Sequence, residues 1–390
     1  MKTAYIVAGL AYGDEGKGAT VDFLTRRYDA KLVVRYNGGS QAGHNVVLSD
    51  GRSHTFAQFG SGTFIPGVAT HLSRFMLVNP LNMAVEEKHL SKLGVKDAYD
   101  RLTVEEKCLV ITPFQQIANR LLEESRGARK HGTCGQGVGQ CRSDHLQYGE
   151  QVLFAGDLKD KGKTKNKLRF LQQKCKEVVD YIGFAHPDLE SEEAVEKYAV
   201  LLCAWPARIV GSGYLKYRLK ETECTVFEGA QGVLLDEVHG VAPHNTWTDT
   251  TFGNAFRLLQ GFSGKIHRVG VLRSYFTRHG EGPFPTEDGN MKFAEPHNNG
   301  HGFQGKFRVG GFDWVALRQA LKACGGVDAL ALNHLDQKEM SVEEMEKFCG
   351  AKVFLQGFGP TARDRFTGKK EWFRKESAWS PAWKQDSSSP

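Results

Sequence analysis

Residues Ala4-Tyr5-Ile6-Val7-Ala8-Gly9-Leu10, Gly13-Asp14-Glu15-Gly16-Lys17-Gly18 and Ala19 to Arg27 read in succession as a buried strand, a glycine-rich turn and a helix. Val21, Phe23 and Leu24 give that helix its apolar side. A turn of this kind lets backbone N–H groups close on an anion at the helix N-terminus, and Lys17 adds a point charge for a phosphate. Asp14 sets the turn apart from an ordinary nucleotide loop. A carboxylate inside a phosphate cradle repels the ligand unless it holds Mg2+ or takes a proton. A second apolar strand, Lys31 to Arg35, runs through Tyr36-Asn37-Gly38-Gly39 into another glycine-flanked turn, Gln41-Ala42-Gly43-His44. Two acid–base groups, Asp14 and His44, are therefore expected at the ends of neighbouring strands, as a reaction centre beside a phosphate.

Outward from this stretch, apolar runs predict strands at Leu109 to Thr112, Thr225 to Glu228, Ile266 to Tyr275, Ala329 to Asn333 and Val353 to Gln356. Helical spacing predicts helices at Leu81 to Leu93, Phe114 to Glu124, Leu168 to Ile182, Glu192 to Ala204 and Trp314 to Ala323. Mostly apolar strands alternating with helices predict an α/β fold: a single large domain with a central, mostly parallel sheet covered by helices. Its P-loop-like nucleotide-binding turns belong at the carboxyl ends of the strands, where such folds bind ligands.

Composition excludes more than it identifies. With 51 basic and 45 acidic residues in 390, the net charge is +6. The one dense basic run, Lys159 to Lys167, carries no interleaved aromatics and reads as a solvated linker. No nucleic-acid or membrane partner is expected: no apolar run reaches the length of a bilayer span, and no basic-then-apolar leader precedes the first strand. The eight cysteines, at 108, 134, 141, 175, 203, 224, 324 and 349, form no C-x-x-C pair. That pattern suits reduced thiols in a cytoplasmic protein.

Further blocks repeat the glycine-rich character of the first. They are Phe227-Glu228-Gly229-Ala230-Gln231-Gly232 with Leu234-Leu235-Asp236, then His239-Gly240 with Pro243 and Thr246, then Gly282-Pro283-Phe284-Pro285-Thr286-Glu287. Fainter ones are Gly132-Thr133-Cys134-Gly135-Gln136-Gly137-Val138-Gly139, Asn333-His334-Leu335-Asp336 and Gly357-Phe358-Gly359-Pro360. Together with G-D-E-G-K-G and the A-G-H turn, they resemble the adenylosuccinate synthetase family in order across most of the chain. The resemblance implies a ligase domain over residues 1–378 followed by a tail, 379–390, with 157–217 matching poorly. Trp372, Trp379 and Trp383 are expected to pack on the body or on a neighbouring subunit.

The resemblance also implies a chemistry: L-aspartate joined to the 6-position of a purine monophosphate such as IMP, with GTP and Mg2+, in a homodimer. Asp14 would take the N1 proton and His44 would stabilise charge on the donor's bridging oxygen, with Lys17 and Gln231 completing the catalytic set. The donor would lie on Gly13, Glu15, Gly16, Lys17 and Gly18, with its base near Asn333, His334, Asp336, Gly357 and Gly359. The acceptor would meet Gln41, Thr133, Cys134, Gln231, Thr246 and His279. Mg2+ would be held by Asp14 and the Gly43 carbonyl. The aspartate carboxylates fall to Gln304, Lys306 and Arg308, where the family is richer in arginine. A lysine keeps the charge of an arginine but not its bidentate fork.

Other departures concern specificity. Ser40 and Gln41 stand where the family has histidine and asparagine, Cys134 replaces a threonine, and His279 replaces a small apolar residue near the ribose. These leave two alternatives beside IMP with GTP. One is a relative acting on dGMP with ATP, dATP or GTP; the other is a nucleotide-binding paralogue without turnover. A P-loop GTPase is disfavoured because Lys17 is followed by Gly18, not by a Mg2+-holding Ser or Thr. Arg142 is the nearest local candidate for the arginine that family members borrow from the neighbouring subunit.

Overall fold

The computed structural model describes residues 1–295, 303 and 305–368. Gln304, the three late tryptophans and the 379–390 tail lie outside the described residues. Ten strands form one sheet: β1 (Thr3–Gly9), β2 (Leu32–Arg35), β3 (Ala69–Leu72), β4 (Leu102–Glu105), β5 (Arg208–Val210), β6 (Cys224–Gly232), β7 (Lys265–Arg273), β8 (Ala329–Asn333), β9 (Lys352–Gly357) and β10 (Arg365–Thr367). Their order is β10-β9-β8-β7-β1-β6-β2-β3-β4-β5, and every pairing is parallel except β9 with β10.

β1 is a strand because both of its faces are buried. Ala4, Ile6 and Ala8 join an apolar cluster with Leu32, Val34 and Phe227, while Tyr5 and Val7 join another with Val33, Val226 and Val269. Successive side chains point to opposite faces of a strand, so a continuous apolar run fits a sheet covered on both sides. Each fully buried Val, Ile or Leu contributes about 1.5–3 kcal/mol relative to exposure. The helix that follows, α1 (Lys17–Arg27), starts at Gly16, whose φ of 91° is left-handed and suits glycine, and ends with Arg26 and Arg27 where cations favour the dipole.

The strands expected around Asp14 and His44 exist, yet they are not neighbours. β6 runs between β1 and β2. Its register with β1 breaks after Val7↔Glu228 and resumes at Gly9↔Gly232. The extra residues bulge, and Gln231 there adopts a φ of 55°.

Two further expectations are corrected. Leu109 to Thr112 gives only Leu109–Val110, paired with Leu77–Val78 outside the large sheet. Thr112 instead caps the helix Pro113–Ser125, since a residue before proline is pushed to extended backbone. The Lys159–Lys167 run is mostly the start of a 21-residue helix, Lys161–Tyr181, capped by Asp160. Its lysines are paired rather than merely solvated. Lys161 and Lys165 meet Glu196, and Lys163 and Lys167 meet Asp157. Among the described residues no helix is long and apolar enough to cross a membrane, and all eight cysteines are free thiols.

Candidate active site

The turn after β1 is organised by Glu15, which is fully buried. Its Oε1 accepts from the N–H of Ala11 at 3.0 Å and of Gly13 at 2.9 Å, and its Oε2 meets Lys17 Nζ at 2.5 Å. Glu15 thus shapes the turn and neutralises Lys17. No side chain caps α1, so the N–H groups after Gly16 have no capping side chain. The simpler role for Asp14, a helix cap, is not the one it occupies.

Asp14 sits at a left-handed φ of 59°, a conformation that Asp tolerates better than most residues. Its Oδ2 lies 2.7 Å from His279 Nε2, and its carbonyl accepts from Arg273 at 3.2 Å. Burial alone would raise the Asp14 carboxyl; the His279 bond, with His279, Arg273 and Lys17 nearby, outweighs it and holds the group below its ordinary value. His279 is therefore a direct partner of the candidate base, with its ring also 5.0 Å from that of Phe307.

His44 opens a small hairpin, His44–Val47 with Ser53–Phe56, off the end of β2. Its Nδ1 lies 2.5 Å from Glu228 Oε1, and its buried Nε2 has no partner among the described residues. Glu228 is fully buried and also accepts from the Ser61 N–H at 2.9 Å and from the Ser61 hydroxyl. Burial lowers the His44 imidazolium, and Glu228 pushes it back only partly. Burial would raise Glu228, but Arg35, its cross-strand partner, together with His44 and Ser61, holds it down. Sequence reasoning missed Glu228. Its signal was a carboxylate at the end of an apolar run on a central strand, where a buried charge requires a partner.

The two turns come together through Gly18. A Cβ there would lie 2.9 Å from the backbone and Cβ of His44. Only a glycine lets the helix N-terminus approach the histidine so closely. Gln231, carried out by the β6 bulge, and Gln41 both have buried amides with no partner on either end among the described residues. Two unsatisfied amides beside this junction are what a hydrogen-bonding ligand would satisfy.

The other expected residues differ in what they touch. Asn333, the last residue of β8, donates to the Glu15 carbonyl at 2.8 Å and braces the turn from below. Gly357 packs on it, since a Cβ there would lie 2.5 Å from Asn333 Oδ1. His334 has a left-handed φ of 60° and a buried Nδ1 without a partner among the described residues, and burial, Arg273 and Arg365 lower it well below the ordinary value. Asp336 is exposed and Gly359 lies against Asp364.

On the acceptor side, the Thr133 hydroxyl lies 3.2 Å from Asn119 Oδ1, and the N–H groups of Gly132 and Thr133 reach Glu123 at 2.6 and 3.2 Å. Burial raises the Cys134 thiol to about 11. The Thr246 N–H donates to Leu235. Lys306 is exposed, whereas Arg308 donates to Glu287 and to the carbonyls of Gly280 and Gly282. Gly43 is exposed. Among the described residues no group of three His, Cys, Asp or Glu side chains could hold a metal ion. Among the described residues Arg142 reaches the Glu237 carboxylate, at 4.0 Å.

With this geometry in view, comparison with known proteins is specific. The sequence profile of the adenylosuccinate synthetase family matches residues 6–362. Adenylosuccinate synthetase of Chlorobium chlorochromatii is 32% identical over 357 residues, covering 89% of this chain and 79% of that protein. The Vibrio parahaemolyticus enzyme is 32% identical over 400 residues, covering 96% and 87%. In structure, the fully ligated adenylosuccinate synthetase of Plasmodium falciparum aligns with a TM-score of 0.77 at 21% identity, covering 94% of this chain and 99% of that one. Succinoaminodeoxyadenylate synthetase (PurZ) of cyanophage S-2L, bound to dGMP and to dATP as energy donor, aligns at 0.67 and 19%, covering 94% and 95%. At these identities the structural likenesses speak for the fold.

Proposed function

This chain belongs to the adenylosuccinate synthetase family and is a C–N-bond-forming ligase of purine nucleotide synthesis, and on that premise we propose that it joins L-aspartate to the 6-position of IMP with GTP as phosphoryl donor. One observation carries the proposal: Gly18 brings the anion-binding helix N-terminus against His44, with Asp14 on the same turn.

Asp14, held ionised by its surroundings, takes the N1 proton, and O6 becomes a nucleophile. O6 attacks the γ-phosphorus, the bond from that phosphorus to the bridging oxygen breaks, and GDP leaves. Backbone N–H groups at the start of α1, with Lys17 released from Glu15, hold the donor phosphates. Glu228 fixes His44 through Nδ1, so Nε2 is the end presented to charge building on the bridging oxygen. The neutral amine of L-aspartate then forms a bond to C6 as the C6–O bond breaks, phosphate departs and the amine's surplus proton leaves with it. Gln231 and Gln41 supply amides for the purine and its sugar, and Lys306 and Arg308 answer the aspartate carboxylates once Arg308 leaves Glu287.

The residues fit Mg2+ bound in its usual manner, with few protein ligands and several from phosphate and water. Asp14 has one carboxylate oxygen on His279, leaving Oδ1, and the Gly43 carbonyl lies on an exposed residue. When bound, the ion would neutralise charge between the β- and γ-phosphates. Homodimerisation, with an arginine such as Arg142 passed to the neighbouring site, belongs to the same proposal.

A second reading, dGMP with ATP or dATP, is favoured by one feature: His279 reaches into acceptor space to touch Asp14. Phosphate release with L-aspartate and Mg2+, crossing IMP, dIMP, GMP and dGMP with GTP and ATP, decides. Turnover on IMP with GTP is expected. Turnover confined to dGMP would replace the proposal by the second reading.

A further inference from the structure

The hairpin that opens with His44 is fastened at its other strand by a pair of histidines. His54, buried and set opposite Val46 in that hairpin, has its Nδ1 2.6 Å from Nδ1 of His89, an exposed residue on the helix Pro80–Lys92. The His54 Nε2 turns toward Glu86 Oε1, at 3.6 Å, on the same helix. Glu86 is itself buried and takes the N–H groups that follow the hairpin, those of Ala57 and Gln58 at 3.0 Å and of Phe59 at 3.3 Å. Arg35, whose charge holds Glu228 down, donates to the carbonyls of Ala57 and Phe59 at 3.1 and 3.2 Å. One polar chain therefore runs from the surface at His89 to the support of His44.

Two imidazoles joined nitrogen to nitrogen need one N–H and one lone pair between them. A neutral pair meets that need, and so does a pair that shares one added proton. With both rings charged, two N–H groups and two cations face each other, and the bond fails. The charged groups around the pair are Glu86 and Lys92 on the helix, and Asp50 with Arg52 at the hairpin's tip, where Arg52 also donates to the Leu93 carbonyl at 2.8 Å. Phe56 and Phe64 set their rings against His54. A freed His89 stays in the last turn of its helix, where a cation is favoured. Burial first, then His54 and Lys92, lower the His89 imidazolium. The unfolded chain binds that proton first, so this stabilisation is complete above about pH 6.5 and is lost as pH falls through the lowered folded value.

Resting on the reading of His44 as the residue that meets charge on the donor, we propose that His54 and His89 form a proton-operated tie. It seats the hairpin of His44 on the helix while the pair carries at most one charge, and it opens when both rings are charged. Both are positioning residues, acting through Glu86 and the backbone of 57–59. The test compares the full chain with His89→Gln and His89→Ala, both at an exposed position. Gln offers His54 an uncharged hydrogen bond at every pH, as donor or acceptor; Ala offers none. From about pH 7.5 to about pH 5.5, on either side of the ordinary histidine value, the unfolding midpoint and kcat of the parent fall further than those of His89→Gln. The difference in kcat is roughly three- to tenfold, the scale of one hydrogen bond. His89→Ala has the lowered kcat already at about pH 7.5 and a flatter decline, with its KM for IMP and GTP within about twofold. His44 is present in all three proteins, so its own titration cancels. Equal acid limbs in all three overturn the tie. Thermal unfolding needs no turnover, which separates this inference from the reaction. A midpoint that flattens in His89→Gln, in a protein that does not act on IMP, keeps the tie and loses the reaction. Equal limbs with phosphate released from GTP on IMP remove the tie and leave the reaction standing.

Discussion

Glu228→Gln removes one charge from beneath His44 while keeping its shape. The carboxylate accepts from His44 Nδ1 at 2.5 Å and from both the N–H and the hydroxyl of Ser61. A glutamine carbonyl can serve His44 or the Ser61 N–H; its amide N–H2 then confronts the other donor. Burial already depresses the His44 imidazolium and Glu228 opposes that, so the substitution lowers the protonated fraction further. A hydrogen bond to a charged group nets about 1.5–3 kcal/mol. Charge on His44 matters most in the transition state, and each 1.36 kcal/mol is tenfold in rate, so kcat falls about 10–150-fold. Glu228 is fully buried beneath the histidine, so the KM values for IMP and GTP change by less than about threefold. Steady-state phosphate release at saturating substrates measures kcat, with thermal unfolding recorded alongside. A folded variant with kcat within twofold of the parent refutes the role given to this pair.

Asp14→Asn is expected to abolish turnover, below about one part in a hundred, while calorimetry still detects IMP and GTP; retained activity would remove Asp14 as the base. Gly18→Ala places a methyl 2.9 Å from the His44 backbone. It should lower kcat strongly with little change in unfolding midpoint, and normal activity would show that the contact tolerates displacement. His71, buried on β3 with Nδ1 3.0 Å from the Thr103 hydroxyl, is lowered to about 3 by burial and then by Arg218. The unfolded chain therefore binds this proton first, so the stabilisation is complete above about pH 6.5 and declines as pH falls toward 3. In urea unfolding, His71→Asn should flatten the loss between pH 7 and 4.5, and an unaltered slope would assign that loss to other groups.

The sheet's centre was legible because β1 and β8 are near-continuous apolar runs and β6 and β7 hold apolar stretches, Val226-Phe227 and Val269 to Leu272, which no solvent-facing strand requires. Its flank was not: Ala69–Leu72 carries Thr70 and His71, and Leu102–Glu105 carries Thr103 and Glu105, polar residues that become buried only once paired with one another. The turn residues Asp14, Lys17 and His44 stood out by type and spacing. Their supports did not: Glu228 was missed and Asn333 was read only as a neighbour of the donor base, because both act on the turns from strands far along the chain and no local pattern announces such a partner. The lysine run misled for a different reason: one partner stands just before it and the other on a later helix, and only the helical register brings the lysines onto them. Its partners, Asp157 and Glu196, lie on either side of the helix it begins.

The placing of β1 between β6 and β7 has a consequence for how this protein is made. At about 5–20 residues per second, a ribosome has finished the first strand within moments and then takes roughly ten to fifty seconds to deliver both of its neighbours. For most of that interval Tyr5, Ile6 and Val7 have no β6 or β7 to pair with, and Glu228 and Asn333 are still to be synthesised. Newborn chains of this protein should lean on holdase chaperones, and slowing translation between residues 35 and 224 should cost soluble yield without touching the finished enzyme.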